Sequence, residues 1–455
     1  MNAAVPSTKS MGKLALTSLA GASIEWFDFY LYGAAAALVF PTLYFPKTMP
    51  AAIALLASFS TVAVGFLARP VGAILFGHFG DRAGRKAALT AALVLMGVSS
   101  ALVGCLPSYA SIGVAAPTLL VVLRFMQGLA IGGQWGGAML LVVESAPPEK
   151  RGFYGSFAQV GAPAGVVLAN LAFLVVGATM SHEAFLTWGW RIPFLLSLGL
   201  VALAWYVHRR VEETEAFRQM KAEREDSIQR AASGTAQREG VEAPSGRSPI
   251  IDAFVTHPKQ IFLAAGAFIA VQVSFYIAIT FVMAYGTSKE IGLGLPQSTL
   301  LTAVMISSGV MAPTLIWFGK LSDQFGRRRV FVTGAVLTGL WAFAFFPLIE
   351  TRSPVLITLA IMTAVTLNGL MYGPQAALFG EMFRTRVRYS GASLGYQIGS
   401  MFGGGLAPVA AMEILRRTHS TFGISLYMAG ASIVTIVSMM LLGDKRVGDL
   451  SEAGR

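Results

Sequence analysis

Twelve stretches of mostly apolar residues follow one another along the chain, separated by short polar turns. They lie at about 14–40, 53–77, 87–106, 115–143, 152–179, 190–208, 260–286, 298–319, 330–349, 354–380, 390–412 and 421–443. Each has room for the roughly 20 apolar residues that a membrane-crossing helix needs. Helices are the expected form, because lipid offers the backbone no hydrogen-bond partner and a helix satisfies its own. One polar segment, 209–259, interrupts the series. It is rich in Glu, Arg, Gln and Ser and reads as a linker loop with some amphipathic helix. The pattern predicts an all-α membrane protein. A six-helix bundle covers 1–208, the linker covers 209–259, and a second six-helix bundle with a short tail covers 260–455.

Composition agrees. Of 455 residues, 55% are hydrophobic and 13% charged, about half the charged share of a soluble domain. The single Cys105 excludes an internal disulfide framework. The net charge of +11 at first suggests a nucleic-acid partner, but the distribution of the charge argues otherwise. With the N-terminus inside, 26 of the 34 Lys and Arg fall in inside segments and five in outside loops. The other three, Arg69, Arg124 and Arg191, lie in spans or at their ends. That asymmetry orients the helices with both termini and the linker in the cytoplasm, and excludes nucleic acid as a partner. The first apolar run is too long for a signal peptide and contains Glu25 and Asp28, so it reads as a retained span.

The two halves repeat. Gly77-His-Phe-Gly-Asp81-Arg82-Ala-Gly84-Arg85-Lys86 joins spans 2 and 3, and Gly319-Lys-Leu-Ser-Asp323-Gln-Phe-Gly326-Arg327-Arg328 joins spans 8 and 9, at an offset of 242. Glu144 precedes Arg151 by seven residues, as Glu381 precedes Arg388. Six spans per unit leave both units in the same orientation, a parallel repeat about an axis along the membrane normal.

These paired loops, the twelve spans and the long central loop resemble the major facilitator superfamily over nearly the whole chain. Narrower strings are similar to its metabolite:proton symporter branch. They are Glu25-Trp-Phe-Asp-Phe-Tyr-Leu-Tyr-Gly33, Phe66-Leu-Ala-Arg69-Pro70-Val-Gly72, Gly132-Gly-Gln-Trp-Gly-Gly137 and Trp188-Gly-Trp-Arg191-Ile-Pro-Phe194. Val143-Glu-Ser-Ala-Pro147 and Gly391-Ala-Ser-Leu-Gly-Tyr396-Gln397 look most like its shikimate-transporter-like members. The resemblance implies an integral protein of a bacterial-type inner membrane that carries a small organic acid with protons. Other members of the branch carry dicarboxylates, citrate, aromatic acids or betaines. The branch commonly has Glu where Gln134 stands; Gln releases no proton, so a proton site there is absent.

Candidate chemistry follows from the few charges inside spans. Glu25 and Asp28, at i and i+3, share a face of the first helix. Glu25 lies about 11 residues in, roughly 17 Å at 1.5 Å per residue. A charge that deep costs about 2.5–3.5 kcal/mol on insertion scales, so it is expected to face a cavity and to act in transport. Burial and a like-charged neighbour both favour the neutral acid, which makes the pair the proton-coupling candidates. The competing reading is a structural lock on the first helix. Arg124, at similar depth in span 4, offers a planar fork for a substrate carboxylate or a partner for the acids. Its competing reading is a permanent ion pair. The five histidines fall in loops or at span ends, leaving the helix-1 acids as proton carriers. Arg69 and Arg191 read as interfacial anchors or caps.

Polar and aromatic residues in apolar spans usually face the protein interior. Tyr30, Gln127, Gln134, Trp135, Gln159, Asn170, Gln272, Tyr276, Asn368, Tyr372, Gln375, Tyr396 and Gln397 are therefore cavity candidates, with interhelical bonding as their other role. Gly77, Asp81, Arg82, Gly84, Arg85 and Glu144, with Gly319, Asp323, Gly326, Arg327 and Glu381, read as a gate. Such contacts hold one side closed in one state and break in the other. Asp81 is expected to cap the helix that follows it and to meet basic groups of the other bundle. The glutamates are candidate partners of the arginines.

The sequence has no Gly-Lys-Ser/Thr phosphate loop and no metal-ligand cluster, so no enzyme, metal or cofactor is expected and a proton gradient supplies the energy. A monomer is expected. Two alternatives remain on the same fold: an exchanger or efflux pump, kept open by Gln134 and a partial Gly/Pro pattern at Gly155, Gly161, Pro163 and Gly165, and a zwitterionic osmolyte symporter. A membrane-embedded enzyme or receptor would need a reactive constellation that the sequence lacks.

Overall fold

In the computed structural model, residues 8–83, 85–199, 201–202, 205, 254–255, 257–382 and 388–442 are described. The linker expected over 209–259 falls outside them except at its last residues, and Gly84 lies outside them as well. The helices are α1 (Thr8–Leu38), α2 (Ala51–Ala83), α3 (Arg85–Cys105), α4 (Ala115–Ser145), α5 (Arg151–Thr179) and α6, which begins at Arg191–Leu196. After the linker come α7 (Pro258–Thr287), α8 (Gln297–Phe325), α9 (Arg327–Glu350), α10 (Pro354–Met382), α11 (Arg388–Ser400, continuing to Thr418) and α12 (Phe422–Leu441). Among the described residues, ten helices are long and apolar enough to cross a membrane. α1, which carries the acidic pair, and α6 complete the twelve-helix all-α architecture.

Within the first six helices, α1 packs on α5, α2 on α4, and α3 on α4. Within the last six, α8 and α9 pack on α10, α9 on α12, and α7 on α11 and α12. The two sets meet along α5 with α8 and α10, along α2 with α11, and along α1 with α7. This junction positions the site.

Two helices depart from regular α geometry there. α7 passes through a π turn at Ile277–Phe281 and α11 through another at Met401–Gly405. A π turn shifts the register of the helix faces, and such turns cluster at functional sites. The second one seats Phe66 of α2 against Gly404 and Gly405, where a Cβ would come within 2.9 Å of the ring and 2.8 Å of the Phe66 Cβ, respectively. Without side chains there, α2 and α11 can come into direct contact.

α2 runs six residues beyond the span expected from hydropathy, through Asp81 and Arg82 to Ala83. Arg69 is therefore mid-helix and fully buried, contrary to the expectation of an interfacial anchor. The polar turn continues the helix, so the apolar run ended before the helix did. Arg191 keeps its expected role. Its Nη1 donates to the carbonyls of Gly104 and Leu106, both at 2.8 Å, and so caps the end of α3.

Candidate functional site

Asp28 is fully buried on α1 and faces the interior of the first six helices. The Ser100 hydroxyl of α3 donates to its Oδ2, and the Ser197 hydroxyl, just past the described start of α6, donates to its Oδ1 at 2.5 Å. Ser100 in turn accepts from Gln127 Nε2 at 2.6 Å, and Gln127 Oε1 accepts from Arg124 Nη1 at 3.2 Å. An unbroken polar chain thus runs Arg124–Gln127–Ser100–Asp28–Ser197 across α4, α3, α1 and α6. The Arg124 guanidinium lies over the rings of Tyr32 at 4.1 Å and Phe29 at 4.4 Å. Gly65 makes room for it, since a Cβ there would stand 2.6 Å from Arg124 Nε. Such a network offsets part of the cost of desolvating the charges at both of its ends.

Glu25, one turn earlier, is half-buried and belongs to a different environment. Three residues along a helix separate two side chains by about 60° of rotation. That is enough to send Asp28 toward α3 and α6 while Glu25 comes under the charge of Arg69. The two acids therefore feel different cations, Glu25 the charge of Arg69 and Asp28 the charge of Arg124.

Arg69 sits in an aromatic cage, 4.2 Å from the Phe66 ring, 4.5 Å from Phe29 and 5.7 Å from Trp26. Its Nε, Nη1 and Nη2 are buried with no well-aligned hydrogen-bond acceptor within the protein. Ring faces attract a guanidinium, but they do not replace in-plane acceptors.

Next to this cage lies a cavity of about 10 Å³, lined by Trp26, Tyr30, Ala162, Val271, Gln272, Phe275, Asn368, Tyr372 and Tyr396. That is room for roughly one water, so the site is nearly closed. Trp26 stacks on Tyr30 at 5.3 Å with the planes 17° apart, an i, i+4 pair on one helix face. Helices α1, α5, α7, α10 and α11 all contribute, so both halves of the chain build the walls.

Of the residues expected from sequence, Tyr30, Gln272, Tyr372 and Tyr396 line this cavity, as does Asn368. Tyr276 packs edge-on to Phe66 and Phe29 beside it. Gln159 donates across the junction to Tyr372 O at 3.3 Å and to Gln375 Oε1 at 3.4 Å, tying α5 to α10. Gln272 donates to Ser400, and Asn368 to Val271 O and Ser274, so both are fixed at the wall. Gln397 is buried in α11. Asn170 bonds only to its own helix, at Val166 O. Arg124 and Gln127 lie in the polar chain and not on the wall. The side chains of Gln134 and Trp135, within α4, lie outside the described residues.

Sequence reasoning missed Trp26, Phe275 and the site role of Arg69. The Trp26–Tyr30 spacing was a usable signal. The span boundary misplaced Arg69, and nothing in the pattern singled out Phe275.

The gate residues form a second cluster. Both Asp323 oxygens accept backbone N–H groups of the first turn of α5, from Gly152 and Phe153, each at 2.8 Å. Arg327 reaches Asp323 at 3.2 Å, donates to Pro148 O at 3.0 Å and pairs with Glu381, which also lies 4.0 Å from Arg151. A Cβ at Gly152 would meet Gly319 O at 2.5 Å, so two backbones touch here. Asp323 thus caps a helix of the other half; the cap on the following helix was expected of Asp81, whose side chain lies outside the described residues. Gly326, at φ +95°, supplies the turn that lets the chain enter α9. The side chains of Gly77, Asp81, Arg82, Arg85 and Glu144 lie outside the described residues.

A twelve-helix bundle whose two halves share an enclosed polar and aromatic site, with polar ties at one end, is the architecture of a secondary transporter. The sequence profile of the Major Facilitator Superfamily matches residues 18–408, and the chain belongs to that family. It is 40% identical over 443 residues to the inner membrane metabolite transport protein YhjE of Escherichia coli, covering 96% of this chain and 95% of that one. It is 39% identical over 436 residues to the shikimate transporter of Escherichia coli, covering 95% of each. Among solved structures it resembles the proton:xylose symporter XylE bound to 6-bromo-6-deoxy-D-glucose, with TM-score 0.71 at 15% identity, over 96% of this chain and 95% of that one. The protein is an integral membrane transporter of metabolites, not an enzyme.

Proposed function

We propose that this transporter moves a small organic acid together with a proton by alternating access. The carrying observation is one buried and one half-buried acid with two buried guanidiniums in the first six helices, set against an aromatic cavity that both halves share. Charges in spans are costly and face functional interiors. The similarity to a shikimate transporter favours a ring-bearing carboxylate, and the aromatic walls suit a ring. Residues 1–208 and 260–455 act as the two rocking bundles, with both termini and the linker in the cytoplasm. Asp323, Arg327 and Glu381 hold the cytoplasmic end closed.

One charge crossing 100 mV is worth about 2.3 kcal/mol, or roughly 50-fold accumulation. A monoanion moving with one proton is electroneutral, so the pH gradient alone drives it. The test is uptake of labelled shikimate, benzoate and glycine betaine into proteoliposomes with each gradient imposed separately. Acid uptake driven by an inside-alkaline pH gradient supports the reading, and uptake indifferent to that gradient contradicts it. Uptake of betaine alone would mean that the aromatic walls serve a quaternary ammonium instead.

A further inference from the structure

The first six helices bury two guanidiniums, and they are not equivalent. Arg124 spends Nη1 on Gln127 and, through the polar chain, is committed to Asp28. It is enclosed by Tyr32, Phe29 and the Gly65 backbone, away from the cavity wall. Arg124 leaves Nε and Nη2 unpaired, whereas Arg69 has no well-aligned acceptor at any of its three nitrogens, with the Tyr276 hydroxyl as its polar neighbour. One wall of its cage, Trp26, is also a wall of the cavity. Tyr372 and Tyr396, also on the cavity wall, lie within the electrostatic reach of Arg69 and Glu25. Arg69 thus adjoins the cavity through Trp26, and Arg124 does not touch its wall.

A buried guanidinium with no in-plane acceptor is expensive. Three ring faces recover part of that cost and leave the fork open in its plane. A carboxylate is the ligand whose two oxygens match that fork.

Building on the organic-acid reading above, we infer that Arg69 is the anchor for the substrate carboxylate and Glu25 is the acid that it displaces. In the empty protein the Glu25 carboxylate balances Arg69. An arriving monoanion takes over that balance, and Glu25 then takes up one proton from solution, so each bound anion brings in one proton. The ligand class is a monocarboxylate with a flat or cyclic body, its charge at Arg69 and its ring between Trp26, Tyr30 and Tyr396. The Asn368 Oδ1 atom, buried with no donor, marks where a hydroxyl or amine of that body would donate. Arg124 and Asp28 hold the first six helices together and take no direct part in binding.

The test is calorimetric titration of the purified full-length protein with shikimate and with benzoate in two buffers of different ionisation enthalpy. This yields both Kd and the protons taken up. Expected results are about one proton taken up per acid bound by the wild type and none by Glu25→Gln. Arg69→Lys, which keeps the charge and loses the fork, should weaken Kd at least tenfold, and more than Arg124→Lys does. The inference is overturned by Arg69→Lys binding within threefold of wild type, by Arg124→Lys having the larger effect, or by proton uptake persisting in Glu25→Gln. If Arg69→Lys does not fold, the proton count in Glu25→Gln decides alone. Wild-type protein that binds glycine betaine and neither acid overturns the organic-acid reading itself. Wild type that binds the acids while Glu25→Gln still takes up protons overturns only the assignment made here.

Discussion

Asp28 and Glu25 stand three residues apart on one helix, yet they live in opposite surroundings. Asp28 is closed in on every side: two hydroxyls donate to it, and a glutamine links it to an arginine. Glu25 is half-buried and under the charge of Arg69. The first arrangement is hydrogen-bonded from Arg124 Nη1 to Ser197 and leaves Arg124 Nε and Nη2 over; in the second, none of the three guanidinium nitrogens of Arg69 has a well-aligned acceptor. A completed network resists rearrangement because removing any member strands the others. An incomplete one has free energy left for a ligand to recover. If the inference holds, Asp28 and Arg124 hold the first six helices together while Glu25 and Arg69 do the work, although all four are charges in apolar spans.

Substitution by methionine breaks this comparison most directly. Arg124→Met leaves Asp28 without its distant cation and is expected to destabilise the protein by about 3–5 kcal/mol, the usual consequence of stranding a buried charge. Arg69→Met removes an unsatisfied charge and places an adaptable apolar chain among aromatic rings. Its thermal midpoint should stay level or rise, while acid uptake is lost. Thermal unfolding in detergent checks both, and equal losses would erase the distinction.

At the gate, Asp323→Asn removes the charge from a cap that reaches between the halves and weakens its pairing with Arg327. Charge-assisted caps and partly exposed ion pairs together are worth about 1–3 kcal/mol. The closed end should therefore open more often, by roughly five- to 150-fold in population. Thiol labelling of a cysteine introduced at Ser156, in a Cys105→Ser background, reads that opening; unchanged labelling counts against the gate.

The smallest effect is expected at Ser197→Ala. It removes one of two hydroxyl donors to Asp28 and should cost about 1–2 kcal/mol, a few degrees in thermal midpoint, with uptake preserved. Lost uptake at normal stability would place Asp28 among the working residues instead.

Much of this was legible in the sequence. The apolar runs gave the spans to within a few residues over most of their length, because lipid forces the backbone to be helical wherever side chains are apolar. The acid pair on α1 and the aspartate–arginine turn before α9 were also visible. The errors have physical causes. Hydropathy ended α2 at its last apolar residue, but its helical bonding continues through the polar turn, so Arg69 looked peripheral. Helical spacing placed Glu25 and Asp28 on one face, but the two neighbouring helix contacts lie about 60° apart. The π turns at Ile277–Phe281 and Met401–Gly405 depend on packing and leave no periodic trace. The Asp323 cap on α5 joins residues 171 apart, which no local pattern encodes.

The central claim is that Glu25 exchanges the coupling proton while Asp28 is structural. The direct measurement is shikimate transport by Glu25→Gln proteoliposomes, run once as pH-gradient-driven uptake and once as exchange against internal shikimate with no gradient. Gradient-driven accumulation should disappear in this variant and exchange should persist. Accumulation at the wild-type level in Glu25→Gln would contradict it.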